Sequence, residues 1–447
     1  MSATEQERQP MQVAREREPG RFDHAWRALR HRNFRLYFFG QGISVMGSWM
    51  TRVAITWLVY RLTKSALMLG VVAFLGQIVA SVLGPVAGVW VERWPRRTML
   101  VWTQAAAAAQ SLALAGLTLS GRINLTEIII LAILQGLINA FDMPGRQSFL
   151  VQMVEDRNDL GNAIAINSTV VNGARLIGPA LAGFVIAWAG EGWCFLIDGV
   201  SYFAVIASLI AMRLPSHNPV TRRGGMQEQL QEGWDYVTGV RPVRTTLLVF
   251  ALVSLMGYPV MVLLPVFAAE VLHGNATTLG WLSGASGAGA LLSALSLTVR
   301  KNAAGLLQMV LIATVLLGGG LVGFGLSHVL WLSMLLMVIG GFGLMQVASA
   351  CNTILQALVT EDKRARVMSY YTTAFFGAAP IGSLLAGALA HRIGAPITVM
   401  ITGGFCLLGA VWFSMELRHI GGALHSNSSE ASLIGAEEEA AREGEAR

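Results

Sequence analysis

The chain has 447 residues, of which 54% are hydrophobic and only 13% are charged, with a formal net charge of +6 at pH 7. A soluble globular domain has about 25% charged residues, so this composition excludes a chain that presents its whole surface to water. Uncharged apolar stretches of about 18 to 20 residues, long enough to cross a bilayer, recur along almost the entire sequence. The composition predicts an integral membrane protein that is surrounded by lipid.

The chain begins with a polar, charged segment, residues 1–35. This segment has no apolar core of the kind that marks a cleavable signal peptide. We therefore expect a cytoplasmic amino-terminal arm, with the first membrane span acting as the targeting signal.

Hydropathy predicts twelve membrane spans, and it locates their centres better than their ends. They lie near residues 36–60, 66–90, 98–120, 125–142, 163–189, 192–212, 246–270, 276–299, 303–326, 330–356, 367–390 and 396–417. The predicted fold class is an all-α membrane protein, with twelve transmembrane helices in two six-helix bundles, residues 36–212 and 246–417.

The longest polar connection between spans, residues 213–245, separates the two predicted bundles. Within this cytoplasmic linker, Leu230, Trp234 and Val237 have the spacing of one helix face. That spacing favours an amphipathic helix on the inner membrane surface over a plain loop. After the last span, the polar residues 418–447 are predicted to form a disordered cytoplasmic tail.

An internal repeat supports the division into two halves. The segment FLVQMVED, Phe149–Asp156, leads into a span that contains GPALAG, and the segment ILQALVTED, Ile354–Asp362, leads into a span that contains APIGSLLAG. A duplicated six-span unit builds two bundles with a binding site between them near the middle of the membrane. This is the geometry of a transporter.

Basic residues concentrate in alternate connections between the spans, and the positive-inside rule places these connections in the cytoplasm. They are Arg93, Arg96, Arg97, Arg146, Arg157, Arg213, Arg222, Arg223, Arg241, Arg244, Arg300, Lys301, Lys363, Arg364 and Arg366. Both termini are then cytoplasmic in a multi-pass protein. The positive net charge reflects topology, and we predict no nucleic-acid partner.

Residue types that carry catalysis or bind cofactors form no recognisable pattern in this sequence. The three cysteines, Cys194, Cys351 and Cys406, lie within or at the edges of apolar spans without metal-ligand spacing, and we interpret them as packing residues. The sequence contains no Gly-x-x-x-x-Gly-Lys phosphate loop. We therefore predict no enzymatic activity, no cofactor and no metal.

Four charges and a proline interrupt the apolar sequence in GVWVERWPRR, residues 88–97, between the second and third predicted spans. This stretch resembles the signature loop of the major facilitator superfamily, Gly-x-x-x-Asp-Arg-x-Gly-Arg-Arg, with Glu92 for the usual Asp and Pro95 for the second Gly. Three further segments resemble a bacterial subgroup that includes enterobactin-exporter-like proteins and transmembrane secretion effectors: Asn139–Phe149, Asn172–Gly183 and Cys194–Ile206.

The resemblance implies a secondary active transporter of the bacterial inner membrane that works by alternating access and exports its substrate. In the family this loop is a conformational gate that stabilises the outward-facing state. The resemblance carries that role to Gly88, Glu92, Arg93 and Arg97, and Arg146 is a further partner for the Glu92 carboxylate. The alternative is that these arginines only enforce topology.

Ionisable residues inside the spans are the sharpest functional signal. Arg52, Arg175 and Asp198 lie in otherwise apolar segments, where one charge costs roughly 3 kcal/mol on insertion scales. Arg175 and Asp198 lie on neighbouring spans. We expect either a pair that separates and takes up a proton during transport, or a permanent pair that serves only stability. Asp142 and Glu92 are rival proton carriers.

The candidates for a central substrate cavity are Arg52 and six amides: Gln41, Gln77, Gln135, Asn139, Gln346 and Asn352. Aromatic residues of the spans suit the apolar walls of such a cavity, and they equally suit packed or lipid-facing positions: Trp49, Trp57, Phe74, Phe375 and Phe376. A cavity with this lining favours hydrophobic or amphipathic small molecules, such as drugs or siderophores.

Together these features predict a monomeric, proton-coupled exporter, an antiporter for efflux, whose partners are a small-molecule substrate, protons and the lipid bilayer. Two alternatives stay open. One is a non-transporting membrane receptor or scaffold with a transporter fold, and the other is a lysolipid translocator.

Overall fold

The computed structural model describes residues 27–150, 153, 159–212, 226–298 and 305–417. Within these ranges the backbone forms helices and short connections and contains no strand, so the predicted all-α class is confirmed. The predictions for the tail, and for most of the amino-terminal arm, concern residues outside these ranges.

The first half contains six long helices, which begin and end within a few residues of the predicted spans, except that α4 continues about eight residues beyond the predicted end at 142. They are α1 (Arg32–Thr63), α2 (Ala66–Arg93), α3 (Arg96–Leu119), α4 (Leu125–Leu150), α5 (Leu160–Ala189) and α6 (Glu191–Ala211). We call the end of the bundle where α1 begins the near side, and the opposite end the distal side. The predicted topology places the near side in the cytoplasm.

The second half follows a short linker helix, α7 (Met226–Gly239). Its helices are α8 (Arg241–Met256), α9 (Val260–Val266), α10 (Ala276–Thr298), α11 (Leu306–Leu326), α12 (Leu330–Leu358), α13 (Glu361–Ile393) and α14 (Ala395–Leu417).

Within the described ranges, ten helical segments are long enough and apolar enough to cross a membrane, when α8 and α9 are counted as one segment. Helices α1 and α10 lie at the two remaining predicted positions. Four arginines lower the hydropathy of α1, and many Gly and Ser residues lower that of α10. The count of twelve spans therefore stays a prediction for these two helices.

The predicted span at 246–270 is present within Arg241–Val271, but it is not one continuous helix. Helix α8 ends at Met256, α9 begins at Val260, and a π-helical turn, Phe267–Val271, follows. Pro259 explains the break, because proline has no backbone N–H to continue the helical hydrogen bonds. Helix α13 packs closely here, since a Cβ on Gly382 would lie only 2.9 Å from Cγ of Pro259.

The linker helix α7 packs on the near end of the second half. Val237 is buried in a cluster with Val243, Leu247, Leu355, Val359 and Val367. Trp234 stays 56% exposed beside the ring of Tyr370, and Glu232 forms an ion pair with Arg366. The predicted amphipathic helix is present. Part of its apolar face packs against the second half, and the prediction had assigned that face to the membrane surface.

The two halves contact each other closely at the distal side through glycines. On α5 and α10, a Cβ on Gly183 would lie 2.9 Å from the carbonyl oxygen of Ala276 and 3.1 Å from Cα of Gly280. On α2 and α13, a Cβ on Gly70 would lie 3.1 Å from Cα of Gly387. Small residues let helix backbones approach this closely, so the halves can close on the distal side.

We expect Gly183→Val to hold the distal ends of α5 and α10 apart, because the atoms that its side chain meets are backbone atoms that cannot rotate away. Transport should fall at least about tenfold, since the distal-closed state becomes strained. Gly173→Val on the same helix is the matched control, because no neighbouring atom lies within 4 Å of a Cβ there. Equal transport by the two variants would contradict the role of the Gly183 contact.

Candidate functional site

The candidate site lies around Trp49, where α1 and α5 meet. The guanidinium carbons of Arg52 and Arg175 lie 5.0 Å and 5.6 Å from the centroid of the Trp49 ring. Trp49 and Arg52 share one face of α1 because they are three residues apart. Gly178 lets α1 approach α5, since a Cβ there would lie 2.7 Å from Cβ of Trp49. Two cationic side chains therefore flank one aromatic ring.

Neither guanidinium of this site forms an ion pair with a carboxylate of the described residues. Arg52 is exposed and Arg175 is half-buried. The charged or polar groups in electrostatic range of Arg175 are Arg52 and the hydroxyl of Tyr258, and Asp198 is in range of Arg52. The site therefore carries two positive charges and faces the second half.

Asp198 does not pair with Arg175 as the neighbouring spans suggested. Its carboxylate is 1% exposed and accepts hydrogen bonds from the hydroxyls of Ser111 at 2.9 Å and Ser48 at 3.3 Å. Close packing of α1 explains this placement, because a Cβ on Gly47 would lie 2.9 Å from Cα of Asp198. Asp198 therefore faces the interior of the first half.

Arg175 lies at the boundary between the halves. A Cβ on Gly287 of α10 would lie 2.8 Å from Cα of Leu176, the next residue of α5. The turn between α5 and α6 is a single residue, Gly190, with φ of 91°. A tight turn brings the two helices together, but their rotation about their own axes points Asp198 and Arg175 in different directions.

Asp142 and Arg146 pair with each other, one helical turn apart on α4. The distance between Nε of Arg146 and Oδ2 of Asp142 is 2.5 Å. Thr103 and Gln104 of α3 donate hydrogen bonds to Oδ1 of Asp142 at 2.9 Å and 2.7 Å. This cluster ties α3 to α4 on the near side. A partnership of Arg146 with Glu92 stays a prediction.

The predicted near-side gate is described only in part. Arg97 donates hydrogen bonds to the carbonyl oxygens of Ile210 at 2.5 Å and Met212 at 3.3 Å, both in the first half. The side chains of Glu92 and Arg93, and the packing around Gly88, lie outside what the structure describes. The gating role therefore stays a prediction for a conformation in which the near side closes.

The predicted cavity amides do not form one group. Gln135 donates to Asn139 at 3.1 Å, and Gln77 donates to a carbonyl oxygen of its own helix at 3.2 Å. Gln346 accepts hydrogen bonds from Ser293 and Ser296 and lines a separate cavity of about 250 Å³ in the second half. The two other amides are Gln41, which is buried, and Asn352, which accepts a hydrogen bond from Gln356 at 2.6 Å.

The second half presents aromatic rings toward the boundary. The rings of Tyr258 and Phe375 lie 5.7 Å apart, edge to face, and those of Phe375 and Phe376 lie 5.2 Å apart. Ser81 of α2 donates a hydrogen bond across the boundary to the carbonyl oxygen of Phe376. Sequence reasoning missed Tyr258, although Gly257 and Pro259 beside it mark the helix break that positions it.

A family model described as transmembrane secretion effector matches residues 23–439. The chain belongs to this family of major facilitator transporters. The resemblance seen in the sequence is confirmed, and the protein is a transporter and not an enzyme.

The relatives that match most of this chain are named as transporters or efflux pumps. The staphyloferrin A transporter of Staphylococcus aureus is 27% identical and covers 82% of this chain and 92% of its own. The multidrug efflux pump Tap of Mycolicibacterium fortuitum is also 27% identical and covers 82% and 91%. These relatives, together with the apolar helices, identify a multi-pass protein of the bacterial inner membrane.

Solved structures share the fold of the chain. A bacterial homologue of the iron transporter ferroportin in an inward-facing state has a TM-score of 0.66 at 18% identity and covers 86% of this chain and 98% of its own. A bacterial homologue of the lysosomal transporter Spinster, inward-facing and occupied, has a TM-score of 0.65 at 15% identity, with coverages of 87% and 97%.

Proposed function

We propose that the protein is a proton-coupled exporter of hydrophobic or amphipathic small molecules that works by alternating access. The observation that carries this proposal is the position of Arg52, Trp49 and Arg175, at the boundary of two halves that contact each other on the distal side. One relative is named as a multidrug efflux pump, which supports export, and another is named as a transporter of staphyloferrin A, which supports a small-molecule substrate.

Alternating access requires contacts that form on one side while those on the other side break. On the distal side these are the glycine contacts and a hydrogen bond across the boundary from Tyr60 to Glu270. On the near side the proposed counterpart is the segment from Gly88 to Arg97. Rocking of the two halves then exposes the Trp49 region first to the cytoplasm and then to the outside.

Proton coupling needs a carboxyl group that changes its protonation during the cycle. The candidate carriers are Asp142 and Asp198, which are both buried in the described spans, and Glu92. We propose that both termini lie in the cytoplasm and that the unit of transport is the monomer.

The decisive experiment is substrate efflux from liposomes that contain the purified protein. We expect amphipathic dyes to leave these liposomes faster when an inwardly directed proton gradient is imposed, and Gly183→Val liposomes to lack this acceleration. A receptor or scaffold would give no flux of any dye. A lysolipid translocator would move a fluorescent lysolipid but no dye, and either result would refute the proposed export of small molecules.

A further inference from the structure

We infer that Arg52, Trp49 and Arg175 form a binding site for an anionic group on a flat, apolar molecule. This inference rests on the proposed export function and narrows its substrate class to amphipathic anions such as aromatic carboxylates or sulfonates. The sequence predicts a substrate cavity with few charges. In the structure, two charged residues, Arg52 and Arg175, lie together at the Trp49 ring.

Among the described residues, no carboxylate forms an ion pair with Arg52 or Arg175. Arg52 and Arg175 lie within spans where a charge without a partner is costly, and each lies in the electrostatic field of the other. Asp198 is in range of Arg52, but it forms no ion pair with Arg52 because the hydroxyls of Ser48 and Ser111 hold its carboxylate. An anionic group that contacts the two guanidinium groups would offset the positive charge of the site.

The chemistry of the side chains fits such a ligand. The planar fork of an arginine binds carboxylates and other oxyanions through two parallel hydrogen bonds. Both guanidinium groups lie over the Trp49 ring, and the edge of this ring offers apolar contact to the body of the ligand. Across the boundary, Tyr258 lies in electrostatic range of Arg175, and its ring packs edge to face against that of Phe375.

The placement of these residues links binding to transport. Arg52 and Trp49 belong to the first half, whereas Tyr258 belongs to the helix break of the second half and lies in electrostatic range of Arg175. A ligand that touches both halves stabilises the conformation in which they are close around it. Anion binding should therefore change the distance between the halves as well as occupy the site.

The test compares two dyes with the same xanthene ring and opposite charge, sulforhodamine B and tetramethylrhodamine methyl ester. Binding to the purified protein is measured by fluorescence polarisation, and efflux is measured from liposomes. We expect the wild-type protein to bind the anionic dye at least about tenfold more tightly than the cationic dye. Added salt should weaken binding of the anionic dye, because ions screen the arginines.

Arg52→Gln and Arg175→Gln should each lower the affinity for sulforhodamine B at least about tenfold, the low end for loss of a hydrogen bond to a charged group. Arg175→Lys should recover part of the loss at that position because it restores the positive charge. Arg392→Gln is the matched control, since Arg392 is exposed at the distal end of α13, away from the site.

Two results would overturn the inference: absence of sulforhodamine B binding to the wild-type protein, or unchanged affinity for it in both glutamine variants. If the protein exports the cationic dye and binds no anionic dye, export stands and only the anionic substrate class is wrong. If sulforhodamine B binds in an arginine-dependent way but no compound is transported, the site stands and the proposed export function fails.

Discussion

Tyr60→Phe should shift the protein toward the conformation that is open on the distal side. The hydroxyl of Tyr60, near the end of α1, donates a hydrogen bond at 2.7 Å to Oε1 of Glu270 in the turn after α9. This bond joins the two halves and must break when they separate there. Because Glu270 is exposed, the bond should contribute about 1.5 kcal/mol, the low end for bonds to charged groups, so the equilibrium should shift about tenfold.

Spin labels on cysteines that replace Arg122 and His328 measure this shift. Both residues are exposed in distal connections, one in each half, and double electron–electron resonance gives the distribution of distances between the labels. We expect the longer distances to gain population in Tyr60→Phe. Glu270→Gln should give a smaller gain, because glutamine can still accept the hydrogen bond but carries no charge.

The control for this measurement is Tyr371→Phe. The hydroxyl of Tyr371 donates to the carbonyl oxygen of Ala348 at 2.9 Å, and both residues belong to the second half. Its loss removes a hydrogen bond of similar length without affecting the boundary between the halves. Equal distance distributions for Tyr60→Phe and Tyr371→Phe would show that the Tyr60 bond does not hold the distal side closed.

Hydropathy predicted the helices well because the cost of exposing the backbone to lipid depends on composition over a whole span. It missed the interruption between α8 and α9, although Pro259 is visible in the sequence, because apolar residues continue on both sides of it. A hydropathy profile detects apolar length, whereas the break depends on one missing hydrogen-bond donor.

The site was harder to predict than the spans because it depends on how each helix is rotated. Arg175 and Asp198 lie on consecutive helices with a one-residue turn, so their closeness in sequence suggested a pair. Packing of Gly47 and Gly178 decides otherwise, because these glycines bring α1 against α6 and α5. The bond from Tyr60 to Glu270 joins residues far apart in the chain, and no local pattern signals it.

Asp198→Asn should bind sulforhodamine B about tenfold more tightly than the wild-type protein, and this binding should lose its dependence on pH. When the Asp198 carboxylate is ionised, its negative charge lies in electrostatic range of Arg52 and opposes an incoming anion. The expected tenfold change corresponds to about 1.4 kcal/mol, which is less than the roughly 4 kcal/mol between unit charges about 4 Å apart near a protein surface. Asparagine removes the charge. It keeps one oxygen that can accept from one of the two serine hydroxyls, and its NH2 group can donate to the other hydroxyl oxygen.

In the wild-type protein the same reasoning predicts tighter binding of sulforhodamine B as the pH falls, because a proton on Asp198 removes the opposing charge. The sulfonate groups of the dye stay ionised throughout, so the pH dependence belongs to the protein. Fluorescence polarisation at a series of pH values measures both effects. Affinities that follow the same pH curve in the wild-type protein and in Asp198→Asn would contradict this role of Asp198.

The expected result also decides which carboxyl can drive export. Asp198 and Arg52 both belong to the first half, so rocking of the halves does not separate them, and a proton on Asp198 assists anion binding. In a proton–substrate exchanger, protonation of the carrier must weaken substrate binding. Protonation of Asp198 strengthens the binding of an anion, so Asp142 and Glu92 remain the candidate carriers for an anionic substrate. Asp198→Asn liposomes should therefore keep their proton-gradient-driven efflux of sulforhodamine B. If Asp198→Asn liposomes lose this proton-driven efflux while their affinity for sulforhodamine B is unchanged, Asp198 is the proton carrier. That result would also count against binding of an anion at Arg52.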